Sequence, residues 1–461
     1  MPKKTFFILL IIFPLVVGLA CRFTAKPAEP KEEIDTQPTA TEQVEQPAVS
    51  APTRSIGKQD TQDEPEVDAK ELRKVKQSPI FEDDSIAYVS FLFENPASDI
   101  LYEDVEFTAE AFGPRGELID SSYESVALFY PESTFGFTAT FWLSEDDTNI
   151  DSVEINWTYR RTSPANPSDN PFSTEKLVVW DNQGSPKVTG KIVNLSSTTF
   201  TNININVLCF DKAGDLVGGG NTYLDFIHLN DYMGFITTVD AFGEIARVEA
   251  FPNLSYGTDY IDKTDFLSKI KILEDNFTVD KYGWIEGGIV VKNDTNSVLR
   301  DSCFYITFYD RNDDIITTGD KCIKFLLPGD TLGLTPWIWS PPDGAEYDHY
   351  DILMLPGEAD DSYELNSNPF RVNSVSISGD FESNALVNFT NTYTKEVSEV
   401  DVFVLAYNAD GKIIGGGNSW TSSPTPAGGT DEVEVWITYL TTEKVDHLKA
   451  WINPSIWTDF N

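Results

Sequence analysis

The residues that could do chemistry in this chain are few and far apart. Its three histidines, His228, His349 and His447, share no ligand spacing, so a zinc site or a His/Asp/Ser triad would need distant segments to converge. Neither an enzymatic activity nor a cofactor is expected. The triple glycine Gly218–Gly220, followed by Asn221, could cradle a phosphate. It recurs as Gly415–Gly417 before Asn418, 197 residues on, the spacing that also separates Gly214 from Gly411. No helix follows to bring its amino terminus to an anion, so a strand bulge or a close backbone approach is the expected cause. Asp310-x-Asn312-x-Asp314 begins like a calcium loop but has Ile315 at the sixth position and Lys321 at the twelfth. The runs Glu145-Asp-Asp147 and Glu358-Ala-Asp-Asp361 read as solvated acidic loops, with calcium stiffening of a linker as the alternative. No metal is expected.

Two groups of residues carry more. Cys303 and Cys322 are equidistant from a turn centred between Asn312 and Asp313, so they face each other across adjacent strands. In an exported chain that pairing allows a disulfide. A two-residue loop would put them at a hydrogen-bonded site, where the Cβ atoms are less well placed, so a reduced pair stays open. Cys209 precedes a core aromatic and reads as a buried thiol. Trp337-Ile-Trp339 sets two indoles on one side of a strand, and Trp142, Trp436, Trp451 and Trp457 lie on or just beyond other late strands. Exposed, such rings stack on sugars; buried, they are core.

These residues are positioned by a repeat. An aromatic, a turn and two branched aliphatics recur at Phe112–Ile119, Phe210–Val217, Tyr309–Ile316 and Tyr407–Ile414. Upstream stand Asn95, Asn194, Asn293 and Asn391, at steps of 99, 99 and 98 residues. That period describes four tandem domains. Within each, the pattern is one of strands: Ile203-Asn-Ile-Asn-Val207 and Val400-Asp-Val-Phe-Val404 run into the aromatic, and a short Asp/Asn/Gly turn makes a hairpin. Later apolar runs at 134–143, 232–239, 331–339 and 432–439 precede closing strands at 153–159, 246–251, 350–355 and 447–452. Short strands with frequent turns and no helical period predict all-β folding, as four immunoglobulin-like antiparallel sandwiches at 79–162, 170–257, 264–358 and 368–461. Asn170-Pro-Phe172 and Asn368-Pro-Phe370 end two of the linkers and are expected to seat the next first strand. Counted from Phe81, the first unit has room only for a missing or brief first strand.

The amino terminus reads Lys3-Lys4, an apolar run from Phe6 to Val17, then Gly18-Leu-Ala-Cys21, which describes an export signal over residues 1–20. It resembles the lipobox of bacterial lipoproteins, which implies lipid attachment at Cys21 and anchoring to a membrane in the cell envelope. Gly18 stands where that pattern has Leu, and a plain signal peptide is the alternative. Residues 21–78, rich in Pro, Thr, Gln, Glu and Lys, are expected to be a disordered stalk.

Each repeat is similar to the FxLYD-type domain of bacterial surface proteins, in which a Gly-x-φ-x-Asn strand precedes an aromatic-Asp-x-x-Gly hairpin and a Pro-Gly. Gly190 to Asn194, Phe210-Asp211 and Gly214 carry the match in the second unit; Gly288 to Asn293, Tyr309-Asp310 and Pro328-Gly329 carry it in the third. Gly113, Asn408 and Asp313 depart from it. The resemblance implies an extracytoplasmic sandwich with a binding or structural role and brings no catalytic residues.

A net charge of −41 repels nucleic acid and anionic lipid headgroups. The expected function is therefore non-enzymatic: a lipid-anchored surface protein that presents its repeats for adhesion or ligand binding, with a surface glycan or protein as partner and Trp337 and Trp339 as the stacking pair. An envelope spacer without a ligand, and a solute-binding or hydrolytic lipoprotein, are the alternatives.

Overall fold

The computed structural model describes residues 71–458 apart from 84, 144–148, 181–184, 255–259, 262–268, 281, 364, 366, 379–383, 440–442 and 456–457. Cys21, the run Glu145-Asp-Asp147 and Trp457 lie outside the described residues. Among these, the chain is all-β, and the only helical element is the 3-10 turn Pro167–Asp169.

The second repeat displays the plan. Tyr232–Thr238, Lys187–Asn194 and Phe172–Trp180 form a three-stranded antiparallel sheet. Asp240–Ala241, Leu216–Ile227, Thr199–Phe210 and Arg247–Leu254 form the second sheet, in that order. Between them lie Val188, Ile192, Ile203, Ile205, Val207 and Phe235, all at most 1% exposed. Apolar side chains on the inner faces of both sheets are what the two-residue alternation of strands delivers. The chain changes sheets at Val239, where Gly218–Gly220 lie against the backbone of Thr238 to Ala241, so a Cβ at Gly218 or Gly220 would strike a carbonyl oxygen. Gly417 stands equally tight against the carbonyl of Trp436. The glycine triples are thus crossing points for a strand.

The four repeated asparagines are fully buried and act alike, three of them on three carbonyls and Asn293 on two. Asn95 Nδ2 donates to the carbonyls of Ile100, Phe129 and Tyr130 at 2.8, 3.1 and 2.9 Å. Asn391 Nδ2 donates to those of Lys395, Thr425 and Pro426 at 3.0, 3.0 and 3.2 Å. Asn194 and Asn293 do the same, and each Oδ1 accepts from the amide two residues on. Each clamp ties together carbonyls where one strand ends and another turns, adding a buried donor to groups of which some also take a backbone amide or a hydroxyl.

The hairpins close by a side-chain cap. Asp211 Oδ1 accepts from the amides of Ala213 and Asp215, Asp310 Oδ1 from Asn312 and Asp314, and Asn408 Oδ1 from Asp410 and Lys412. Gly113 has no such oxygen, and Glu117 reaches back from the far side of its turn to the amide of Arg115 at 2.9 Å. Each turn needs one left-handed residue: Gly116, Gly214, Gly411 and, at φ 60°, Asp313.

The repeats do not hang as beads. Each of the first three packs the outer face of its three-stranded sheet against the second sheet of the next. Leu208 and Phe251 join the core of the first repeat, Tyr305 that of the second and Phe403 that of the third. Backbone contact at each junction is close because Gly136, Gly234 and Gly333 stand there, against Leu208, Thr307 and Trp451 respectively. The hairpin aromatics Phe210, Tyr309 and Tyr407 are buried in this way, while Phe112, which no described unit precedes, is only partly covered. Tyr305 Oη donates to Gly234 O at 2.9 Å, His228 Nε2 lies 2.8 Å from Met354 O, and Asn453 Nδ2 donates to Phe325 O at 2.8 Å across these junctions.

The first unit starts earlier than residue 79. Arg73–Gln77 pairs with Phe91 to Glu94, and Phe81–Asp83 continues along the same neighbour after a break at Ser78-Pro79-Ile80. Proline lacks the amide a ladder needs, so one first strand is divided in two. Leu72, 4% exposed, belongs to the core of the first unit as Phe172 belongs to that of the second. The span from Arg73 to Asn95 equals that from Phe172 to Asn194, 22 residues each. The segment expected to be stalk thus contributes an edge strand.

Candidate functional site

The strand Thr331–Leu334 is buried, after which the chain crosses to the second sheet and Trp337–Ile338 pairs with Gly319 and Asp320. Ile338 turns inward over Gly319. Alternation then throws its two neighbours outward, leaving Trp337 71% and Trp339 52% exposed. Their backbone is fixed: Trp339 N donates to Thr318 O at 3.0 Å, and Thr317 Oγ1 donates to Trp339 O at 2.6 Å. From the second unit, Lys187 Nζ donates to Ser340 O at 2.6 Å, tying the segment across the junction. Burial lowers the pKa of that ammonium, and Asp343 opposes the shift.

A carboxylate adjoins the first indole. Asp320 is the cross-strand partner of Trp337, so the two side chains share a face. Burial, and secondly Asp225, holds the Asp320 carboxyl up at about 6. Tyr223, exposed on the second unit, has its pKa raised first by Asp225, then by burial and by Asp320. The arrangement offers flat aromatic faces beside acceptor oxygens, which is what binds a sugar's apolar face and its hydroxyls.

Cys303 and Cys322 are directly opposite and joined, with S–S 2.04 Å and Cα–Cα 4.0 Å. That Cα separation belongs to a non-hydrogen-bonded pair, because a register shift between Phe308 and Tyr309 moves the ladder on by one residue. The objection drawn from a plain two-residue loop therefore falls away. Asp225 Oδ2 lies 3.7 Å from Cys322 Sγ, but disulfide sulfurs offer a metal no thiolate. Cys209 is buried and free, and burial pushes its thiol up to about 12.

The remaining candidates resolve into structure. His349 and His447 stack on Tyr309 and Tyr407 with centroids 4.9 Å apart. Asp310 caps its own turn rather than opening a calcium loop. The Glu358 to Asp361 run stays exposed at Glu358, Ala359 and Asp361 but is corrected from a loop to an edge strand over Glu358–Asp360; Arg300 Nε lies 2.6 Å from Asp360 Oδ2, and Ser297 Oγ donates to Asp361 at 2.6 Å. Trp142 and Trp436 are exposed, whereas Trp451 is half-buried at the junction of the third and fourth units. Asn170 and Asn368 cap the first strands of their units by accepting from the amides of Phe172 and Phe370 at 3.0 and 2.9 Å. No protein-family model matches the chain, and no curated protein matches it.

Proposed function

We propose that this is a non-enzymatic, lipid-anchored envelope protein of the FxLYD-like, immunoglobulin-like kind, which uses its repeats to bind a surface glycan. The observation that carries the reading is the exposure of Trp337 and Trp339 side by side on a strand held by hydrogen bonds from two units. Core tryptophans would be covered; two large rings left in water two residues apart on a fixed backbone are what a sugar ring can stack on. Anchoring rests on Cys21 and the apolar run before it. Cys21→Ala should release the chain to the soluble fraction, and retention at the membrane would refute the anchor.

The binding test is a glycan and envelope-polymer array probed with residues 67–461 and with the Trp337→Ala/Trp339→Ala form. Saturable binding that the variant loses supports the reading. No binding by either form, with both folded, would favour the ligand-free spacer.

A further inference from the structure

A cleft of about 420 Å³ opens between the first and second units. Its walls are aromatic, from Phe129, Phe135, Phe172 and Phe251, and its polar side chains include Glu132, Glu249 and Asn253. No lysine, arginine or histidine lines it. Asn253 is 5% exposed, yet its Oδ1 has no hydrogen-bond partner. Its Nδ2 reaches only Phe251 O, at 3.4 Å, and that carbonyl fixes the amide's orientation, since a flipped Oδ1 would face another acceptor. The corresponding residue of the fourth unit, Asn453, closes its junction by donating to Phe325 O at 2.8 Å. At the first junction the same asparagine lines the cleft and leaves its acceptor unmet. A buried acceptor of this kind costs stability unless something donates to it.

Glu132 gives a second sign. It occupies the left-handed turn position, φ 49°, that Asn230, Gly329 and Gly428 occupy in the other units. A glutamate pays roughly 1 kcal/mol there relative to glycine. Its carboxylate has no ion pair among the described residues, whereas Glu249 is paired with Arg247, which does not line the cleft.

We propose that this cleft binds a small organic cation, an ammonium or guanidinium on an apolar body. The apolar part lies among the phenylalanines, whose faces favour a cation, and the N–H groups donate to Asn253 Oδ1 and Glu132. An anion would find no positive group there. The site is independent of the tryptophan pair and goes beyond the glycan reading.

Phenethylammonium titrated into residues 67–461 by calorimetry is the test, with phenethyl alcohol as the neutral match. The cation should bind saturably and more weakly in high salt, and the alcohol should not bind. Glu132→Gly removes the carboxylate and relieves the turn, so it should leave the fold at least as stable while weakening binding about tenfold or more. Asn253→Leu should abolish binding, and Trp337→Ala/Trp339→Ala should leave it unchanged. The absence of saturable binding, equal binding of the alcohol, or full binding by both cleft variants would overturn the proposal.

Discussion

Asn391 hydrogen-bonds three carbonyls, and its counterparts in three further copies hold two or three each. Asn391→Ala should therefore cost about 1–3 kcal/mol in urea unfolding, because the carbonyl of Lys395 loses this donor and those of Thr425 and Pro426 keep only their backbone amides. A loss under roughly 1 kcal/mol would mean that water replaces the amide. Asp313 has the opposite sign. Its φ of 60° suits glycine, and Asp313→Gly should raise stability by about 0.5–1 kcal/mol in the same assay. At this scale the repeat period was sufficient to find both positions, since four asparagines in step and one missing turn glycine are visible in the letters. It could not tell whether Trp337 and Trp339 are covered, because alternation places them on one face without saying what lies against that face.

Among elements, the hairpin joining Val298–Tyr309 to Ile315–Leu326 bears the disulfide. Replacing both cysteines by serine should remove about 2–4 kcal/mol by freeing the unfolded chain, with Asp225 left beside the pair. Alkylation with and without reductant checks that the bond exists in the exported protein; thiols that react without reductant would sink it. Strand positions along the chain were readable from periodicity, but the first strand was not, since Pro79 breaks it and Leu72 lies inside a stretch whose composition reads as stalk. The junction faces were legible and overlooked. Phe304 to Tyr309 and Phe403 to Tyr407 are apolar on both faces, the mark of a strand covered twice, whereas Glu106-Phe-Thr-Ala-Glu110 in the first unit still alternates.

At the largest scale, these faces stack the four described repeats one on the next, with polar residues on the two faces left over. Glu432 stands where Gly136, Gly234 and Gly333 receive the next unit, and Thr108 and Glu110 stand where Asn206 and Leu208 are buried. Repeat stacks need such ends to stay soluble. Junction carboxylates also set a pH response. Burial raises Glu124 to about 7 and Asp401 to about 6, so the folded form holds protons that the unfolded chain has released. Stability should therefore fall as pH rises from about 4.5 to 7, by on the order of 1–3 kcal/mol, and Glu124→Gln should flatten the loss. Toward pH 2 the sign reverses, as Asp294, held down to about 2 by Lys271 and Lys292, is protonated. The stack itself is tested most directly by removing one end. Thermal unfolding of residues 67–361 beside 67–461 should show the remaining units melting lower by roughly 5 °C or more, because Val290 and the face around Gly333 lose their cover. Unchanged melting of the first three units would contradict the stack and restore independent beads.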